Sequence, residues 1–361
     1  MWKILRSVVP LCCLASVSVA QSYEAGELSA GLWYTQGSGA VVTLSYDQPR
    51  VFGTDEHVSL TFEGDQYSQA MTLSTVDPDF FESAYARTIA VTAYNVRPSP
   101  EQGGNFSFGG SDIVFGLDRN LGGGLSYGFG VGYQSLTLDS QDALPIAIAD
   151  FILDQGETTH TGLAFLNLEY DQTIGGLRPS SGYRINNTNE LGRTGDISYL
   201  KVSVAAENFV SVGNGYRLRT HGQAAHGLAF GDDALPIFKN YYGGGLGSLR
   251  GFADGSLGPT SAIPNSTGVA HVGGATSLFG GVEISHDFPG RDDVYLTGFY
   301  DIGNVFDADA LLSVSDMRQS VGVAVTWASP IGPLNISLAK PLNDEAGDTV
   351  ANLQFSFGGS F

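Results

Sequence analysis

From residue 21 onward the chain repeats one pattern: strand-length segments in which every second residue is apolar, divided by clusters of Gly, Asp, Asn, Pro or Ser. The clearest segment is Leu125–Tyr133. One face carries Leu125, Tyr127, Phe129, Val131 and Tyr133, and the other carries Ser126, Gly128, Gly130, Gly132 and Gln134. Side chains alternate across a strand, so each such segment has one apolar face and one small or polar face. Val321, Val323, Val325 and Trp327 line another face of this kind, as do Leu334, Ile336 and Leu338. In a third, Val294, Leu296, Tyr300 and Ile302 share one parity and Thr297, Phe299 and Asp301 the other.

A soluble half-buried strand also alternates, so the nature of the polar face decides between water and lipid outside. A face turned to bulk water tends to carry Lys and Glu. Here it carries Gly, Ser, Asn and Thr, which suits a crowded polar lumen with hydrocarbon on the other side. About sixteen such segments fit between Glu27 and Phe361. Membrane-spanning strands need about 9–11 residues each, in even number, with short turns on one rim and long loops on the other. The fold class is therefore all-β: a transmembrane antiparallel β-barrel of about sixteen strands over residues 21–361. Ser329–Pro333 reads as a short turn, and 139–157 and 231–272 as long outer loops. Pro145 and Asp150 interrupt the apolar run Ala143–Leu153, which reads as a small loop element, and no helix-period segment of useful length stands out after residue 20.

Composition agrees. A net charge of −20 lacks the basic footprint that nucleic acid demands, so no nucleic-acid partner is expected. Charged residues are only 15% of the chain, and Phe and Tyr number 21 and 16, which does not fit a disordered acidic tail. Residues 1–20 read as a secretory signal peptide: Lys3 and Arg6, then the apolar run Val8–Leu14, then Ser18-Val19-Ala20 at the cleavage site. A lipoprotein reading on Cys12 or Cys13 fails because no small residue stands where lipidation needs one. Both cysteines lie in that segment, so the exported part has no disulfide, no thiolate metal site and no Cys nucleophile.

Catalytic patterns are sparse. Gly124-Leu125-Ser126-Tyr127-Gly128 matches the nucleophile-elbow spacing but sits in an alternating strand, not at a strand-to-helix corner. His221 and His226 are five apart and point to opposite faces of one strand. No metal, cofactor or enzymatic activity is expected, and a lumenal hydrolase is a minor alternative.

One stretch breaks the alternation: Asn240-Tyr241-Tyr242-Gly243-Gly244-Gly245-Leu246-Gly247-Ser248-Leu249-Arg250-Gly251-Phe252, followed by Pro259. Five glycines between 243 and 251 permit tight or left-handed backbone around a single arginine. Glu283 shares the polar parity of Ser277, Gly281 and Ser285, and Asp301 that of Thr297. Both carboxylates therefore face the lumen, where a glycine-rich loop folded inward could bring Arg250 against them. A guanidinium is a planar fork suited to carboxylates.

These residues resemble the barrel of the BamA/TamA bacterial surface antigen family. The likeness rests on Tyr241-Tyr242-Gly243-Gly244, Leu249-Arg250-Gly251-Phe252, Gly258-Pro259, Glu283, Phe299-Tyr300-Asp301-Ile302-Gly303 and Trp327–Leu334. Gly176–Gly182 fits the family's mid-barrel turn, and the closing strand, with Leu353, Phe355, Phe357 and Phe361 on one face, fits its C-terminal signal. The resemblance implies a lumen-inserted loop whose Arg250 meets Asp301 and Glu283, with Phe252 and Phe299 packed nearby. It implies an outer-membrane location, lipid around the wall, and a role in assembling, inserting or translocating outer-membrane proteins. Unfolded outer-membrane proteins would be its clients. Members usually carry periplasmic POTRA domains ahead of the barrel. Here the first strand begins near Glu27, so no POTRA domain is expected and a POTRA-bearing partner chain would supply that function. The alternative is a passive transport or structural barrel without insertase activity.

Overall fold

The computed structural model describes residues 26–360 apart from 52–53, 99–105, 141–143, 176–177, 232, 292, 309, 311–312 and 330–331. The signal segment, Phe361 and the centre of the Ser329–Pro333 turn lie outside the described residues. The first eleven strands are β1 (Glu27–Thr35), β2 (Gly39–Gln48), β3 (His57–Gly64), β4 (Ser68–Asp77), β5 (Ala86–Val96), β6 (Phe106–Gly122), β7 (Leu125–Ser140), β8 (Thr158–Asp171), β9 (Gly182–Thr194), β10 (Ile197–Gly213) and β11 (Tyr216–Ala229). Three short strands follow within a long loop: β12 (Gly251–Phe252), β13 (Thr260–Ala262) and β14 (Val269–His271). The wall then resumes with β15 (Thr276–Asp287), β16 (Val294–Phe306), β17 (Arg318–Ser329) and β18 (Gly332–Pro341), and after β19 (Val350–Ala351) ends on β20 (Leu353–Ser360). Sixteen of these strands, β1–β11, β15–β18 and β20, close into one antiparallel barrel.

The alternation in the sequence is the alternation of the wall. Leu44, Leu73, Val131, Val323 and Leu338 each stand 45% or more exposed on the outer surface, where only hydrocarbon can cover them. The inner face is lined by small hydroxyls. One register row runs Ser29, Ser45, Thr61, Thr72, Thr92, Asp112, Gln134, Thr161, Thr194 across nine consecutive strands. Thr72 and Thr92 hydroxyls lie 3.0 Å apart, and those of Thr161 and Thr194 2.6 Å apart. Closure leaves no open sheet edge along most of the wall, which a bilayer requires because lipid cannot satisfy backbone groups.

An even strand number returns both chain ends to one rim. The turns on that rim include Asn214-Gly215 between β10 and β11, with φ of 50° and 81°. Positive φ at both central residues is the geometry that suits the twist of a hairpin, and Asn-Gly adopts it readily. The opposite rim carries the long connections.

The connection after β7 departs from the sequence expectation. It holds a ten-residue helix, α1 (Ile146–Gln155). Pro145 does not break this helix. It stands at the N-cap, where a missing N–H costs nothing, and Asp150 is accommodated within the helix. Phe151 and Ile152 of α1, with Phe238, pack on the inward-facing Val96, Phe108, Leu136 and Leu138, so this connection turns into the lumen instead of lying wholly outside.

Candidate functional site: the braced lumenal loop and the seam

Residues 230–275 join β11 to β15 and fold into the barrel. Leu249, Phe252 and Leu257 are fully buried and cluster with Phe279 and Val305 of the wall. The turn that presents Arg250 is tightly wound. The Ser248 hydroxyl donates to the Gly244 carbonyl at 2.9 Å and accepts from the Gly244 N–H at 2.8 Å, and the Gly245 N–H donates to the Phe252 carbonyl at 2.9 Å. Gly251 sits at φ 93°, and a Cβ there would lie 3.2 Å from that of Ala339. That left-handed step lets Arg250 reach the wall while Phe252 turns back into the apolar cluster.

Arg250 meets both sequence-nominated carboxylates. Its Nε and Nη2 donate to Asp301 Oδ2 and Oδ1, each at 2.7 Å, and Nη2 lies 2.8 Å from Glu283 Oε1. The guanidinium carbon lies 3.5 Å from the centre of the Phe299 ring. Phe299 therefore stacks under the cation, and Phe252 packs with Leu249, Leu257, Phe279 and Val305. Asp301 is 1% exposed and Arg250's side chain 13%. Burial works against the charge on Arg250. Hydrogen bonding and Coulomb attraction from Asp301, joined by Glu283, outweigh it and push its pKa up.

The clasp is one end of a longer belt. Glu283 also meets Arg219 at 3.1 Å, Arg219 meets Glu207 at 2.5 Å, Glu207 meets Arg184 at 3.6 Å, and Arg184 meets Asp171 at 2.7 Å. Signs alternate through seven residues drawn from β8, β9, β10, β11, β15, β16 and the loop. The sequence reading stopped at the three residues nearest Arg250. The parity of Arg219 and Glu207 carried the signal, but their register across β10 and β11 was not visible in one sequence.

A second anchor was also missed. Lys239 is 1% exposed, and its Nζ lies 2.7 Å from Glu190 Oε1. Tyr199 donates to the same oxygen at 2.6 Å, and Lys201 Nζ donates to the Lys239 carbonyl at 2.6 Å. The chain has only four lysines, Lys3, Lys201, Lys239 and Lys340, so two of them meeting inside the barrel is the signal that was available. Removing a partner from a buried pair costs about 3–5 kcal/mol. Lys239→Ala and Lys239→Met are both expected to lower the urea midpoint for unfolding, by similar amounts. If Met keeps the parent midpoint, the stem and not the charge anchors the loop.

The loop also touches the strand that closes the barrel. Gln354 of β20 accepts from the Gly251 N–H at 3.1 Å and donates to the Phe252 carbonyl at 2.8 Å. Gly251 and Phe252 pair with Ala351 and Val350, and the Ala253 N–H donates to the Thr349 carbonyl at 2.7 Å. Arg318 fixes that neighbouring connection through Asp348 at 2.6 Å and Glu345 at 2.9 Å.

The seam between first and last strands is short. Gly31–Thr35 pair with Ser356–Ser360, and β18 holds β20 over Leu334–Leu338 only. Elsewhere ladders are longer, as between β6 and β7, which pair from Phe106 to Gly122. On its other side β1 pairs with β2 along its whole length, Glu27–Thr35. Leu353, Phe355 and Phe357 lie on the outer face of β20. Phe355 stacks on Tyr34 at 5.2 Å across the seam, and Phe357 is the register partner of Tyr34. On the inner face the Trp33 ring lies over Gly358, in the space that a side chain there would take.

A sixteen-stranded barrel with an apolar exterior, a hydroxyl-lined lumen and a loop clasped inside it defines a class: transmembrane barrels of the bacterial outer membrane with a lumen-inserted arginine loop. The chain belongs to the Omp85 superfamily, whose domain matches residues 50–361. It is 26% identical over 383 residues to the outer membrane protein assembly factor BamA of Neisseria meningitidis, covering 93% of this chain and 46% of that protein. It is 27% identical over 209 residues to BamA of Nitratidesulfovibrio vulgaris, covering 56% of this chain and 26% of that one. The chain thus spans at most about half the length of these relatives. Among solved structures, BamA from Haemophilus ducreyi lacking POTRA domains 1–3 superposes with a TM-score of 0.85 at 23% identity, over 93% of this chain and 70% of that one. CdiB from Acinetobacter baumannii shares the fold more distantly, with a TM-score of 0.59 at 13% identity over 93% of this chain and 60% of that one. This is a BamA-like barrel, located in the bacterial outer membrane.

Proposed function

We propose that this barrel takes part in assembling or inserting outer-membrane proteins, with the seam between β1 and β20 as the working edge. The observation that carries the reading is the short ladder, among the described residues, of Gly31–Thr35 on Ser356–Ser360. A strand edge offers unpaired N–H and C=O groups that an incoming strand can match by main-chain hydrogen bonds. A ladder of this length can separate at lower cost than the long ladders elsewhere. In this reading Arg250, held by Asp301 and Glu283 over Phe299, braces the interior while the seam moves, and Leu249, Gly251 and Phe252 shape the loop that carries it. The aromatic face of the closing strand, Leu353, Phe355 and Phe357 with Phe361 at the terminus, guides closure of the barrel itself. Unfolded outer-membrane proteins are the clients, and a POTRA-bearing partner chain delivers them. The relatives named as outer membrane protein assembly factors support this direction.

Depletion tests it. An assembly role predicts a fall in other β-barrels in the outer membrane before permeability changes, and recovery of a POTRA-bearing chain on purification from native membranes. Altered permeability with the other barrels at normal abundance would favour passive transport instead.

A further inference from the structure

We propose that Gln354 is a positioning residue that tethers the closing strand to the inward loop, so that β20 and the Arg250 loop move as one body. The inference rests on the reading of the seam as the working edge. It adds which part of the seam is held and by what.

The wall alone secures β20 poorly, because its ladders to β1 and β18 are each short. Gln354 adds an attachment of another kind. Its side chain points inward from β20, is 4% exposed, and uses both ends of the amide on the loop backbone: Oε1 takes the Gly251 N–H at 3.1 Å and Nε2 gives to the Phe252 carbonyl at 2.8 Å. A primary amide accepts at its oxygen and donates at its nitrogen, so one side chain can hold a backbone N–H and a neighbouring C=O from separate atoms. Removing it leaves the buried Gly251 N–H without its partner, while the Phe252 carbonyl keeps only the Gly245 N–H. The groups it holds flank the clasp, since Gly251 follows Arg250 directly. From Arg250 the belt of ion pairs runs through Glu283, Arg219, Glu207 and Arg184 to Asp171, so β20 is joined across the lumen to strands as far round as β8. On the other side of the seam the loop meets the turn after β1, where Gly37 lies against Asp254 with no comparable pair of hydrogen bonds among the described residues.

The test uses the full barrel in lipid. Residues 21–361 contain no cysteine, so labels can be placed cleanly. Spin labels on Gly247→Cys with Leu353→Cys report the loop against the closing strand. Gly247→Cys with Tyr300→Cys report the loop against the strand that bears Asp301. A Cβ at Gly247 would meet nothing within 4 Å, and Leu353 and Tyr300 face outward. In the parent both distance distributions should be single and narrow. In Gln354→Leu the width of the first should at least double while the second keeps its parent width, because the Asp301 clasp is intact. Gln354→Asn keeps the amide on a shorter stem that cannot span both backbone groups. It should broaden the first pair too, and serves if the Leu variant fails to assemble. The proposal is overturned if the first pair keeps its width in either variant, or if both pairs broaden alike, which would mean that the loop has merely unfolded. A third pair, Leu32→Cys with Leu353→Cys, reads the seam itself. If it never changes when an unfolded barrel protein is added, the seam reading fails while the tether is still judged on the first two pairs.

Discussion

Arg250→Ala should give a barrel that loses its folded, fast-migrating gel form at markedly lower temperature and lower urea than the parent. The substitution strips the cation from Asp301, which is 1% exposed, and takes one of two partners from Glu283. Leaving a buried charge without its partner costs about 3–5 kcal/mol. Asp301 should suffer most, because Glu283 keeps Arg219 at 3.1 Å. Lys should restore less than half of the loss. The native contact is a two-nitrogen fork on Asp301 with a further contact to Glu283, stacked flat on Phe299, and an ammonium reproduces neither the fork nor the stack. Equal resistance of the Ala variant and the parent to heat and urea would show that the clasp does not brace the barrel.

Much of this architecture was legible because alternation is a local property. Leu125–Tyr133 shows its lipid face without any knowledge of its neighbours, and the parity of Glu283 and Asp301 places both carboxylates inside. Arg250 was legible only through them: its glycine-rich stretch by itself reads as a surface loop, and the two inward carboxylates are what point its guanidinium into the lumen. What could not be read was register. Arg219 faces Glu283, and Arg184 faces Asp171 and Glu207, only because β8–β11 and β15 slide to one particular pairing. Gln354 was hidden in plain view. It shares the inward parity of Ser356 and Gly358, and one sequence does not show that the backbone of residues 251–252 lies opposite it. The helix α1 is not legible in the sequence because a proline breaks a helix interior but is tolerated at its start, and only the structure shows that Pro145 stands at the N-cap. Phe238 and the inward side chains of β5, β6 and β7 supply the apolar surface on which that helix lies, and they come from distant parts of the chain.

Locking the seam should cut the proposed assembly activity at least tenfold while leaving a sound barrel. Thr35 and Ser356 are direct register partners in the ladder that joins β1 to β20, and both side chains are small and close to cysteine in size. Directly opposed residues hold their Cβ atoms about 4.5–5.5 Å apart, and a disulfide needs about 3.5–4.5 Å. A short ladder near a strand end can close that gap. The double variant Thr35→Cys with Ser356→Cys, oxidised in the outer membrane, should retain or raise its resistance to heat, since the bond removes the easiest opening. Its ability to support the abundance of other barrels should fall at least tenfold, on the order of 1.4 kcal/mol or more in apparent free energy, and reductant should restore it. Ser59→Cys with Ser74→Cys supplies the control, because these partners on β3 and β4 have hydroxyls 2.7 Å apart in a ladder with no proposed motion. That lock should leave activity at the parent level. Loss from both locks alike would point to general rigidity. Full activity of the oxidised seam lock would mean that clients do not enter between the first and last strands, and the working edge would have to be sought elsewhere.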